Sequence, residues 1–74
     1  MTIHKIIGEK GEMPRLCNGG SCPSIIEADT DTILVQGYVP SEREREQLSG
    51  PAGEAFVKMS RATFVALARQ VLNS

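Results

Sequence analysis

The sequence predicts an α+β fold: a small antiparallel sheet of about three strands, with a C-terminal amphipathic helix packed on one face. Three observations predict it. Segment 33–39 is rich in β-branched and aromatic residues, which favour strands. Segment 24–28 holds two isoleucines, and residues 29–32 between these segments are short and polar, as in a hairpin turn. Segment 61–72 repeats apolar residues at helical spacing.

The chain has 74 residues, which is enough for one domain. Its apolar fraction of 41% is typical of a globular protein, but the core of so short a chain is small. We expect residues 17–74 to form the single domain and residues 1–16 to form an N-terminal arm or edge strand. The isoleucines near the N-terminus have helical spacing, so a short helix is an alternative there, although Gly8 and Gly11 interrupt it.

Segment 33–39 carries apolar residues at both odd and even positions. Because successive side chains of a strand point to opposite faces, this pattern predicts a central strand covered on both faces. Gly37 within it is a candidate β-bulge. Segment 54–59 is predicted as the third strand.

A serine lies at the predicted N-terminus of each of two helices. Ser41 and Glu44 have the spacing of a capping box, which predicts one or two exposed helical turns within residues 40–50. Ser60 is a suitable N-cap for the helix over 61–72. Phe64 and Leu67 lie in the middle of the apolar stripe of that helix, and we expect both to be well buried.

The cysteine pair, Cys17 and Cys22, is the most specific candidate site. Its four-residue spacing differs from the Cys-x-x-Cys of zinc knuckles and thioredoxin-like sites. A tetrahedral zinc site needs four ligands, whereas the chain offers two thiols and the imidazole of His4. A disulfide is geometrically easy because residues 18–21 are pliant. Reduced thiols that shape a loop, a redox pair, and a metal site with His4 are the alternatives.

No residue set forms a catalytic or cofactor-binding signature, and we expect the protein not to be an enzyme. The carboxylates of Glu42, Glu44 and Glu46 alternate with arginines, as on a solvated helix surface. Asp29 and Asp31 lack the spaced oxygen ligands of an EF-hand and are predicted to be turn residues. The Gly-rich residues 18–21 are not followed by the Lys-Ser/Thr of a phosphate loop.

A net charge of −1, with acids and bases interspersed, argues against direct binding to nucleic acid or an anionic membrane. The sequence shows no long apolar run and no signal-peptide pattern at its N-terminus. We therefore expect a cytoplasmic protein, in which Cys17 and Cys22 are reduced.

The order of elements resembles a small actinobacterial domain family of unknown function, whose members are often encoded beside helix-turn-helix regulators. The similarity covers roughly residues 17–72. It is carried by Cys22, the segments 24–28, 33–39 and 54–59, and the Ser60-led helix with Phe64. The chain has Phe64 where the family commonly has Trp, and Gln36-Gly37-Tyr38 where the family often has Arg-Asp-Ser. The resemblance implies a regulatory or partner-binding role and assigns no site residues.

These observations favour a non-enzymatic protein-interaction or regulatory module. The expected partner is a protein, with a transcriptional regulator or a second copy of the chain as candidates. The alternative is a thiol redox or metal-responsive protein that uses Cys17 and Cys22. A small enzyme is disfavoured because so short a chain can scarcely enclose a desolvated pocket.

Overall fold

The structure is a computed structural model, and it describes residues 1–16 and 22–73. Within these residues it contains four strands and two helices, which confirms the α+β class. In chain order they are β1 (Lys5–Gly8), β2 (Gly11–Met13), β3 (Ser24–Glu27), β4 (Ile33–Gln36), α1 (Glu42–Glu46) and α2 (Arg61–Leu72).

The four strands form one antiparallel sheet in the order β2-β1-β3-β4. Its register aligns a row of apolar residues across three strands, because Ile7 lies opposite Ile25 and Ile25 lies opposite Val35. The neighbouring row, on the other face, contains Ile6, Ile26 and Leu34. Both rows are apolar, so the hydrophobic pattern alone does not distinguish the two faces; α2 packs on the face that carries Ile7 and Ile25.

Residues 1–16 contribute more than the predicted arm or edge strand. β2 does lie at one edge of the sheet, but β1 is an interior strand with β2 on one side and β3 on the other. Ile6 and Ile7 are both buried. The two glycines expected to interrupt a helix instead lie at the β1–β2 turn, where Gly11 has a φ of 125° that favours glycine.

The core lies between α2 and the middle of the sheet. α2 packs on β1 and β3, and its Leu67 is 0% exposed against Ile7 and Ile25. Met59 and Val71 pack around this cluster. The predicted burial of Leu67 and the predicted helix over 61–72 are both confirmed, and the Ser60 hydroxyl accepts a hydrogen bond from the Thr63 backbone N–H at 3.1 Å.

The prediction that segment 33–39 forms a central, fully covered strand is wrong. β4 is an edge strand that ends at Gln36, and Ile33, Leu34 and Val35 are all substantially exposed. A central β4 would need a second neighbouring strand on its outer side, and none of the described strands lies there, because the strand predicted over residues 54–59 does not form. The apolar residues at odd and even positions of β4 therefore lie at an uncovered edge of the sheet, and they are not buried on both faces.

The third strand predicted over residues 54–59 is also absent from the part of the chain that the structure describes. Only an isolated bridge forms there, in which the backbone N–H groups of Tyr38 and Lys58 each donate to the other's carbonyl at 2.9 Å. Phe56 and Val57 remain about half exposed. Local strand preference did not suffice because this segment has no continuous neighbouring strand with which to pair.

Phe64 is 57% exposed, so its predicted deep burial is wrong as well. Three helical residues span about 300° of rotation, which places Phe64 about 60° away from Leu67 around α2. Leu67 points between β1 and β3, whereas Phe64 points toward β4, above which no second helix lies among the described elements.

We expect Phe64→Ala to lower the free energy of unfolding of the isolated chain by less than about 1.5 kcal/mol, because much of the ring is already in water. Urea unfolding at low protein concentration measures this. A loss of about 3 kcal/mol or more, typical of a buried phenylalanine, would show that the ring lies in the core.

The predicted capping box of α1 is confirmed. The Ser41 backbone N–H donates to Glu44 Oε1 at 2.6 Å, and the Glu44 N–H donates to the Ser41 hydroxyl at 3.2 Å. Lys58 Nζ also donates to both carboxylate oxygens of Glu44, at 2.7 and 2.9 Å. Lys58, followed by the hydrogen bonds from Ser41, lowers the pKa of Glu44 from 4.5 to about 2.

This contact predicts a pH dependence. The ionised Glu44 stabilises the fold fully above its unfolded pKa of 4.5, and this contribution is lost as pH falls toward about 2. Lys58→Met should therefore raise the pKa of Glu44 and weaken the loss of stability in acid, although the effect is small because both side chains are about half exposed. NMR titration of the Glu44 carboxyl measures the shift, with Lys10→Met as the control. An unchanged pKa in Lys58→Met would mean that the capping box alone sets it.

Candidate functional site

The structure separates the residues of the predicted metal site. The His4 backbone N–H donates to the Glu27 carbonyl at 2.8 Å, which places His4 at the C-terminal end of β3. Cys22 precedes the N-terminal end of the same strand. Five residues of extended chain span roughly 17 Å, far beyond the reach of one metal ion. The structure therefore does not bring His4 and Cys22 together.

Cys22 is disulfide-bonded in this structure, and reduction of the thiols in the cell stays a prediction. Cys17, the chain's other cysteine, lies outside the described residues, so the rest of the predicted pair is not described. Cys22 lies in the wall of a surface hollow of about 570 Å³, together with Tyr38 and the β1–β2 hairpin. Across residues 1–16 and 22–73, no group of three or more His, Cys, Asp or Glu side chains is arranged to hold a metal ion.

The acidic residues considered as candidate site residues lie on an exposed helix or in a turn. Glu44 is engaged by Ser41 and Lys58, and α1 has no buried residue. Asp29 and Asp31 lie in the β3–β4 turn, as predicted: Asp29 Oδ1 accepts from the Thr2 backbone N–H at 2.7 Å, and Asp31 has a left-handed φ of 63°. An Asp side chain tolerates this conformation better than most residues do.

The outer edge of β4 is the most distinctive feature of the described surface. The Ala28 N–H donates to the Thr32 carbonyl at 3.0 Å, and hydrogen-bonded pairs alternate along an antiparallel ladder. Leu34 therefore directs its backbone N–H and carbonyl toward β3, whereas Ile33 and Val35 direct theirs away from the sheet. Those outward groups have no backbone partner among the described residues.

An apolar groove runs beside this edge, between β4 and α2. It has a volume of about 280 Å³, and every side chain that lines it is apolar. Leu67 and Ile25 form its floor, and the exposed rings and methyl groups of Phe64, Ile33 and Leu72 form its walls. We call β4 together with this groove the β4 surface.

The β4 surface lacks the charged residues and the proline that commonly protect an edge strand. Edge strands commonly hold charged residues, proline or a bulge that prevent pairing with another chain. Residues 32–37 contain no charged residue and no proline. An apolar, unprotected edge of this kind is a template for another strand.

The whole molecule also exposes more surface than a self-contained monomer of its mass. Its accessible surface is 5860 Å², against about 4,450 Å² expected for a folded 8.0 kDa monomer. Its radius of gyration is 13.3 Å, against about 11.3 Å for a compact 74-residue domain. Residues 45–58 are exposed at every position and contribute to this surface, so the excess is not confined to the β4 surface.

The sequence contained a signal for the β4 surface that its pattern alone could not resolve. Residues 32–37 are uncharged at both odd and even positions. This pattern is compatible either with a strand inside a sheet or with an edge strand that a partner covers. Only the order of strands in the sheet distinguishes the two.

The helices of the described chain are too short or too polar to cross a membrane. Comparison of the chain with protein-family models, with curated proteins and with solved structures found no match.

Proposed function

We propose that this chain is a non-enzymatic protein-interaction module, and that the β4 surface is where it binds its partner. The single observation that carries the proposal is the apolar edge strand that is flanked by an apolar groove and whose outward backbone groups have no backbone partner within residues 1–16 and 22–73.

Two kinds of contact support binding at this surface. A partner strand can add main-chain hydrogen bonds to Ile33 and Val35, as in β-augmentation. The groove then provides the apolar contacts, since about 25 cal/mol is gained per Å² of apolar surface removed from water. Ile33 and Phe64 are each more than half exposed in the single chain, so burying them contributes to binding instead of to folding.

The partner in this proposal is a protein in the cytoplasm. The two candidates are a second copy of the chain and a transcriptional regulator, which is the partner class that the family resemblance implies. The net charge of −1 argues against direct contact with nucleic acid, so any effect on transcription in this proposal passes through such a regulator.

The test compares three tagged baits in the native cell: the wild-type chain, Val35→Lys at the β4 surface, and Val39→Lys as a matched control. Val39 is 72% exposed and does not line the groove. We expect wild type and Val39→Lys to retain at least one protein that Val35→Lys loses. An untagged copy of the chain counts as such a protein.

The same difference in binding between wild type and Val35→Lys is expected with purified components. We expect Val35→Lys to weaken binding of the purified partner at least tenfold, which corresponds to about 1.4 kcal/mol. If Val35→Lys retains every protein that the wild type retains, the β4 surface is not the binding site.

A second candidate function is a thiol redox or metal-responsive protein that uses Cys17 and Cys22; Cys22 is disulfide-bonded and lies in the wall of a surface hollow. Its test is to alkylate free thiols at lysis under denaturing conditions and to weigh the intact protein. A fraction of unmodified chains that changes with the oxidant load of the cell supports a redox role. Two alkyl groups on every chain under all conditions exclude it, and a zinc measurement on the same sample tests the metal-responsive variant.

A further inference from the structure

We infer that the occupant of the β4 surface is a second copy of this chain, paired antiparallel along β4 about a two-fold axis at Leu34. This inference rests on the proposed function, because it names the partner of the same surface. The resulting dimer would have one continuous sheet of eight strands, with the two β4 strands at its centre.

The register follows from the backbone directions of β4. Two strands can share hydrogen bonds only where the outward-facing residues of both meet, and these are Ile33 and Val35. Placing the axis at Leu34 brings Ile33 of each copy opposite Val35 of the other. Both outward residues of each copy are then used.

A shift of the axis to Val35 would bring Ile33 of each copy opposite Gly37 of the other. Glycine offers no side chain to pack against the isoleucine, so the register centred on Leu34 makes better use of the apolar side chains.

The chemistry of the edge suits self-pairing. A symmetric antiparallel pair places like residues near one another, so a charged residue in the paired segment would meet a like charge. Residues 32–37 contain none. The opposed side chains are β-branched or leucine, which pack well across paired strands.

The same register determines where the two α2 helices lie above the joint sheet. Ile33 and Val35 lie on the same face as Ile25, beneath α2, so this register places both α2 helices on one face of the joint sheet. Four strand spacings would separate the helix axes by roughly 19 Å, which is too far for direct helix packing. Phe64 and Leu72, which are 57% and 82% exposed, project from each helix into that space.

The first measurement is the mass of the full chain by sedimentation equilibrium. We expect twice the 8.0 kDa chain mass for wild type and for Val39→Lys, and the mass of one chain for Val35→Lys. Circular dichroism of Val35→Lys checks that it remains folded.

The second measurement does not depend on a disruptive variant. Directly opposed residues without mutual hydrogen bonds have Cα atoms about 4.5 Å apart, which a disulfide can bridge. We expect Leu34→Cys to form a covalent dimer rapidly under mild oxidation, with a peptide that joins the two introduced cysteines. Val39→Cys, treated identically, should remain largely uncross-linked.

The outcomes separate this inference from the proposed function. Wild type that stays monomeric up to high micromolar concentration, or Leu34→Cys that cross-links no faster than Val39→Cys, overturns the second copy as occupant. If another protein is then lost specifically by the Val35→Lys bait, the proposed function stands with a different partner. If no protein is lost, both fail.

Discussion

Leu67→Ala is expected to destabilise the fold severely. Leu67 is 0% exposed and contacts Ile7 and Ile25, so it joins α2 to the two interior strands of the sheet. Truncating a buried leucine to alanine costs about 2–5 kcal/mol. Small domains have a total stability of about 5–8 kcal/mol, so much of the population should be unfolded or molten near body temperature.

Leu72→Ala is the matched control because it makes the same change in the same helix at a side chain that is 82% exposed. We expect its free energy of unfolding to remain within about 0.5 kcal/mol of wild type under dilute conditions. Chemical unfolding and the near-ultraviolet signal of Tyr38 provide two measurements. Similar losses in the two variants would contradict the placement of the core beneath Leu67.

We expect Gly37→Ala to have the next-largest effect on stability, although it adds only a methyl group. The new Cβ would lie 2.9 Å from the Lys58 carbonyl oxygen and 3.2 Å from Val57 Cβ. Because the closest atom belongs to the backbone, the chain has to shift, and the two hydrogen bonds between Tyr38 and Lys58 are at risk. Overpacking of this kind costs about 1–3 kcal/mol.

Hydrogen exchange measures this effect locally, through the Tyr38 and Lys58 amides, and urea unfolding measures it globally. Gly50→Ala is the control, since its Cβ would meet the Phe56 ring at an ordinary contact distance of 3.6 Å. We expect both amides to exchange faster in Gly37→Ala and to be unaffected in Gly50→Ala. Unchanged exchange in Gly37→Ala would mean that the bridge does not depend on the close approach at this glycine.

The elements that sequence analysis predicted correctly are those determined by nearby residues. Ser60 with the apolar repeat of 61–72, and Ser41 with Glu44, specify the two helices through contacts within one or two turns. The β3–β4 hairpin was likewise predicted from its short polar turn.

The incorrect predictions all depended on contacts between distant parts of the chain. No local signal showed that β1 would pair with β3, or that residues 54–59 would add no strand beside β4, which leaves β4 at the edge. The rotation of α2 follows from the same arrangement, because the helix packs over β1 and β3 and thereby turns Phe64 toward the uncovered strand. Periodicity identifies an apolar stripe but not which side of it meets the sheet.

The candidate site could be predicted only in part. The cysteine pair was evident from the sequence, yet the separation of His4 from Cys22 depends on the antiparallel pairing of β1 with β3. The β4 surface combines a backbone property, the outward groups of Ile33 and Val35, with side chains from a helix about thirty residues later. The composition of neither segment reveals that combination.

The interior position of β1 has a consequence for how the protein folds during synthesis. β1 leaves the ribosome early, but Leu67, which completes the core around Ile7, follows about sixty residues later. Contacts so distant in sequence make folding slow, because a long loop has to close before the core forms. Until then the apolar strand Lys5–Gly8 remains uncovered by α2 and prone to aggregation. Nascent chains that stall before residue 67 should therefore depend on chaperones far more than completed chains do.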